Sequence, residues 1–209
     1  MATCLAAAMR RAPGVSALAE DGISPQDLRC RLRVQPVKKT ILFLVDASDS
    51  MLVEEQMKLA KGAVLGLLTQ AYQKRYRVGV IVFHDWKAKV VLPPTSSIAR
   101  ARHALQAMAS GGGTPLAHGL QIVLQTVHSE RVRHPNDQQQ MILLTDGRPS
   151  VSLDPTVNIR EEVLSLADQF PARNIPAIVL ATAEPGELLR EIASHLKARL
   201  RKLTDVIHV

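Results

Sequence analysis

The stretch Ile41-Leu42-Phe43-Leu44-Val45-Asp46-Ala47-Ser48-Asp49-Ser50-Met51 decides how this chain is read. Thr40 to Val45 is a nearly continuous apolar run, the pattern of a strand buried on both faces in a parallel sheet. The run stops at Asp46 and passes at once into alternating oxygen-bearing side chains. In open α/β sheets ligands collect at the carboxyl ends of strands, so polar residues directly after a buried strand are the first candidates for chemistry.

Outward from this strand the chain alternates. Met57, Ala60, Val64, Leu67, Leu68 and Ala71 recur at helical spacing, with Lys58, Lys61, Gln70 and Gln73 between them. Val78 to Phe83 and Lys87 to Leu92 are β-rich runs separated by only His84, Asp85 and Trp86, a hairpin spacing that implies one antiparallel edge strand. The Pro93-Pro94 pair is expected to end that strand. Ile98 to Met108 reads as a helix, Gly111-Gly112-Gly113 breaks the pattern, and a helix follows from about Leu116 to His128. Met141 to Thr145 is a second buried strand ending in an acid, Asp146, followed by Gly147 and a loop with Pro149 and Pro155. A helix over Ile159 to Phe170, a strand over Ala177 to Ala181, a helix over Glu187 to Leu200 and a short apolar end at Val206 to Val209 complete the series. The expected class is α/β, a mostly parallel sheet with one antiparallel edge strand and helices on both faces. Residues 1–35 precede the alternation and read as an amino-terminal extension; 36–209 form the domain.

A chain of 209 residues with 46% apolar and 22% charged residues suits one packed domain. Its apolar runs are strand-sized, far short of the roughly 20 residues of a membrane-spanning helix, so no membrane association is expected. Cys4 and Cys30 support neither a disulfide framework nor a thiolate metal site, and a reducing, cytoplasmic setting is expected. The first nineteen residues lack acid and carry Arg10 and Arg11, faintly like a transit peptide, but a short basic helix is the plainer reading. With 26 basic and 19 acidic residues the net charge is +7, which would favour an acidic partner. Nucleic acid is the weaker choice, because six aromatics, with Phe43 and Phe83 inside apolar runs, leave little for base stacking.

Three loops carry candidate chemistry: Asp46 to Ser50, Gly113-Thr114-Pro115 and Thr145-Asp146-Gly147. Hydroxyl and carboxylate oxygens are hard donors of the sort Mg²⁺ or Mn²⁺ takes. Alone, Asp-x-Ser-x-Ser is ordinary turn and helix-cap currency, and Ser50 could simply cap a helix. The signal is the three loops in order, each at a strand end or a helix start. The triple glycine is no P-loop, since no Gly-Lys-Ser/Thr follows it. The seven histidines are scattered, with His84 the one to follow, and no His-Glu-x-x-His occurs. Lys197, Arg199, Arg201 and Lys202 read as the solvated end of the last helix. No Gly-x-Ser-x-Gly elbow is present. A Mg²⁺-dependent phosphohydrolase of haloacid dehalogenase type would need Asp-x-Asp, and its second place holds Ser48.

The stretches ILFLVDASDSM, AKGAVLGLLTQAYQKR, LPPTSS, GGGTPLAHGL and LLTDGRPS together resemble the von Willebrand factor type A domain with its metal-ion-dependent adhesion site. The likeness is strongest to the carboxy-terminal domain of magnesium chelatase D subunits and their cobalt-chelatase relatives. The lead-in, LAAAMRR and then DLRCRLR, is similar to the segment before that domain. The resemblance implies a three-layer, Rossmann-like fold. It also implies a Mg²⁺ or Mn²⁺ site with hydroxyl oxygens from Ser48, Ser50 and Thr114, and with Asp46 and Asp146 acting largely through water. Neutral direct ligands leave such a cation electrophilic, so a partner's Asp or Glu carboxylate completes the shell. In this family the domain docks proteins, linking an AAA+ ATPase subunit to the large chelatase subunit, with catalysis elsewhere. The family's ATPase-like region and acidic linker do not occur in this sequence, which reads as a stand-alone relative or a fragment. Two departures stand out: Asp49 where the family has glycine, and His84-Asp85 where it commonly has Arg-Gly.

Overall fold

Alternate residues of the central strand face opposite ways, and each face has its own apolar layer. Leu42 and Leu44 join Ile81, Phe83, Met141, Leu143 and Val179 on one side. Phe43 and Val45 join Val80, Val82, Ile142, Leu144 and Leu180 on the other. A strand buried on both faces carries no polar alternation, which is why it is legible as an apolar run.

The computed structural model describes residues 38–48, 73–97 and 111–207, with residues 62, 65–67, 69–71, 99, 100 and 103 between them. The strands are β1 (Lys39–Asp46), β2 (Arg77–His84), β3 (Lys87–Thr95), β4 (Gln138–Thr145), β5 (Ala177–Ala181) and β6 (Arg199–Lys202). The helices are α1 (Leu116–Arg133), α2 (Ile159–Ala172), α3 (Glu187–His195) and the single turn α4 (Thr204–Ile207). One sheet results, in the order β3-β2-β1-β4-β5-β6. Every pairing is parallel except β2 with β3. The α/β architecture expected from the alternation, with its antiparallel edge strand, is therefore observed.

Helix α1 buries Leu116, Leu120, Val123, Leu124 and Val127 at i, i+3/i+4 spacing against the first face. Helices α2 and α3 cover the same face through Val163, Ala167, Phe170, Leu189 and Ile192. The opposite face is covered by helical residues Leu65, Leu67 and Ala71. The predicted amino-terminal extension, both cysteines, Asp49, Ser50 and much of the Ile98 to Met108 segment lie outside the described residues.

Two expectations are corrected. The Pro93-Pro94 pair does not end the hairpin, since β3 continues to Thr95. The register against β2 shifts between Val78 and Val80, and an edge strand at a bulge tolerates residues without an N–H. The last helix does not reach Leu200 but stops at His195, and Arg199–Lys202 forms the outer strand β6. The stop is a Schellman motif: the Ala198 N–H donates to Ala193 O at 2.8 Å and the Lys197 N–H to Ser194 O at 3.0 Å. The left-handed residue it needs is Lys197, with φ of 49°, where helices usually use glycine. No glycine marks the end, so the basic run looked helical.

Candidate metal centre

Parallel pairing sets the ends of β1, β2 and β4 level, with Asp46 beside Phe83 and Val45 beside Leu144. From β1 the sheet extends through β2 on one side and β4 on the other, so the chain reverses its winding direction there. That is the switch-point crevice where this class of sheet places ligands.

Asp46 lies at the floor of the crevice with no exposed surface. Its Oδ1 accepts the Ser48 hydroxyl at 2.6 Å and the Ser48 N–H at 3.1 Å. Its Oδ2 accepts the Thr145 hydroxyl at 2.6 Å. Burial pushes the Asp46 carboxyl up to about 6, the three hydrogen bonds pull it partly back, and the charge of Asp146 adds to the rise. Thr145 belonged to a candidate loop but not to the predicted site residues. Its hydroxyl reaches Asp46 because of strand register, which is hidden in the residue order.

Asp146 is nearly buried and uses Oδ1 to accept the Arg148 N–H at 3.0 Å. Gly147 then turns with φ of 79°, and an added Cβ there would lie 2.6 Å from Leu189 Cβ. Its N–H donates to the Thr145 hydroxyl at 3.0 Å. Thr114 is likewise nearly buried, just before α1.

The loops are joined to one another. Gly111 donates its N–H to Ala47 O at 2.8 Å, and Asp85 donates its N–H to Gly111 O at 3.3 Å. Gly112 has φ of 73°, and a Cβ there would collide with the Asp85 side chain. At the hairpin tip Asp85 itself is left-handed, with φ of 53°. The His84 ring pairs with the Asp85 carboxylate at 2.9 Å, so this histidine is engaged with its neighbour. Trp86, beside it, is 77% exposed.

Asp46, Ser48, Thr114 and Asp146 thus sit on three linked loops at one sheet edge, while Ser50 lies outside the described residues. Among the described residues the Thr114 hydroxyl and the second Asp146 oxygen make no hydrogen bond. No group of three His, Cys, Asp or Glu side chains suited to a metal occurs among the described residues, so the donors here are hydroxyls and two carboxylates. A hard divalent cation fits that set, and two carboxylates near one another in a buried crevice favour a neutralising charge. Position 48 holds a hydroxyl that donates to Asp46, where Asp-x-Asp chemistry would need its second carboxylate.

Residues 41–148 match the von Willebrand factor type A domain, and the chain belongs to that family. Within it, the chain is similar to the 60 kDa subunit of magnesium chelatase from Cereibacter sphaeroides, with 36% identity over 180 residues. The match takes in 84% of this chain and 32% of that subunit, so the chain spans about a third of its relative's length. Two solved structures share the fold. The SpRpn10 VWA domain aligns with a TM-score of 0.66 at 14% identity, over 82% of this chain and 94% of that one. Manganese-loaded TRAP protein from Plasmodium vivax aligns with a TM-score of 0.65 at 17% identity, over 82% and 71% respectively. No helix among the described residues is long and apolar enough to cross a membrane.

Proposed function

We propose that this chain is a divalent-cation-dependent docking domain that works in the cytoplasm within a magnesium- or cobalt-chelatase-type assembly. The observation that carries the reading is the buried Asp46 carboxylate held by two hydroxyls, on loops linked to those of a Thr114 hydroxyl and an Asp146 oxygen that make no hydrogen bond among the described residues. Ser48, Thr114 and Ser50 supply neutral oxygens to Mg²⁺ or Mn²⁺, and Asp46 and Asp146 supply charge around it. The cation contributes an electrophilic position for an Asp or Glu carboxylate of a protein partner. The chain's own residues hold the donors at the sheet edge, and exposed Trp86 and Arg148 stand on loops beside them. Similarity to magnesium-chelatase subunits supports an AAA+ ATPase subunit and a large chelatase subunit as the partners, with catalysis outside this chain.

The test is capture of those two partner subunits with Mg²⁺, with chelator, and with Thr114→Val, which keeps the side chain's shape and removes its hydroxyl. Capture should need Mg²⁺ and fail for the variant, while the variant's metal-free melting matches the parent's. Capture that ignores chelator and variant but collapses with salt would instead mark a charge-driven binder, as for nucleic acid.

A further inference from the structure

Residues 111–115, which carry Thr114, belong to no strand or helix, so something else must fix the Thr114 hydroxyl. Its backbone is gripped from the loop after β4. The Thr114 N–H donates to Ser150 Oγ at 2.9 Å, and the Ser150 N–H donates back to Thr114 O at 3.1 Å. Neither bond uses the Thr114 hydroxyl. The second loop packs its side chains against the bare Gly113 backbone, since a Cβ there would lie 2.6 Å from Val151 Cγ2 and 3.3 Å from Ser150 Oγ. The path from Ser150 back to the centre is short and stiff. It runs through Pro149, with its fixed φ, and through Arg148, whose N–H is bound to Asp146.

From this geometry we propose that Ser150 is a positioning residue of the centre. By holding the Thr114 backbone it sets the Thr114 hydroxyl relative to Asp146, and the two loops present their oxygens to a cation as one unit. The inference rests on the cation-docking reading and adds a residue outside its ligand set. Groups that orient metal ligands commonly change affinity about 10- to 100-fold when removed. Ser150 is exposed and its N–H survives substitution, so the effect belongs at the lower end.

The experiment uses the full chain, Ser150→Ala and Ser150→Thr. Mn²⁺ binding is measured by calorimetry, and exchange of the Thr114 amide is followed by NMR in metal-free protein. Ser150→Ala should bind Mn²⁺ about tenfold more weakly and exchange the Thr114 amide faster, with little change in metal-free melting. Ser150→Thr, which restores the hydroxyl, should recover both. Unchanged Mn²⁺ affinity or amide exchange in Ser150→Ala, or a Ser150→Thr variant no better than alanine, overturns this inference alone. Parent protein that takes up no Mn²⁺ overturns the docking reading and the role of Ser150 with it.

Discussion

Raising the pH from about 3 to 7 in chelator should weaken the metal-free fold through Asp46 by about 3 kcal/mol. The residue has no exposed surface, and burial lifts its carboxyl to about 6, against roughly 3.9 for an exposed aspartate. At about 1.4 kcal/mol for each pH unit, that gap corresponds to about 3 kcal/mol. The sign follows from which state holds the proton more tightly, and here it is the folded one. Below about pH 3 both states are protonated and the burial of a charge is avoided. Between about 4 and 6 the unfolded chain ionises first and stability drains away. Above about 6 the loss is complete. Other groups titrate in the same window, so the quantity to measure is the difference between the parent and Asp46→Asn, whose side chain stays neutral. Urea unfolding of both proteins at pH 3, 4, 5, 6 and 7 should show the parent losing about 3 kcal/mol relative to the variant. In a domain of this size that is about 6 to 12 °C in melting temperature. A difference that stays flat across the window would refute the argument. A parent that gains on the variant would show that the Ser48 and Thr145 hydrogen bonds outweigh burial.

Lys197→Gly should raise stability by about 0.5 to 1 kcal/mol, because it relieves a left-handed side-chain residue at the end of α3, and thermal melts would show it. Arg77 forms an ion pair with the buried Glu130 carboxylate at 2.7 Å, and its other terminal nitrogen donates to the Pro94 carbonyl at 2.8 Å. Arg77→Met should therefore cost about 3 to 5 kcal/mol in denaturant unfolding, and adding Glu130→Leu should recover a large part of it, since the stranded charge is then gone.

The fold was legible where burial leaves a mark on composition. Ile41 to Val45 of β1 and Met141 to Leu144 of β4 are apolar because both faces of the sheet are covered there, and the three-residue gap between Phe83 and Lys87 allows only a hairpin. Asp46, Ser48, Thr114 and Asp146 were legible as candidates because each stands where an element ends or begins. What stayed hidden depends on contacts between distant residues or on an unusual choice of residue. Thr145 meets Asp46 across 99 positions through strand register, and Ser150 meets Thr114 across 36 through loop packing. β6 was hidden because Lys197 occupies the conformation that glycine usually signals.

The two outermost strands share a property that bears on how this protein keeps company with itself. A sheet edge offers unpaired N–H and C=O groups to any neighbouring chain, and a smooth edge invites stacking without limit. Here β3 presents a bulge and two consecutive prolines, and β6 is four residues long with Arg199, Arg201 and Lys202 all exposed. One margin is missing two of its nine N–H donors and is broken by a register shift, and the other sets like charges against a second copy of itself. Both margins of the six-stranded sheet thus carry features that hinder edge-to-edge pairing of one copy with another.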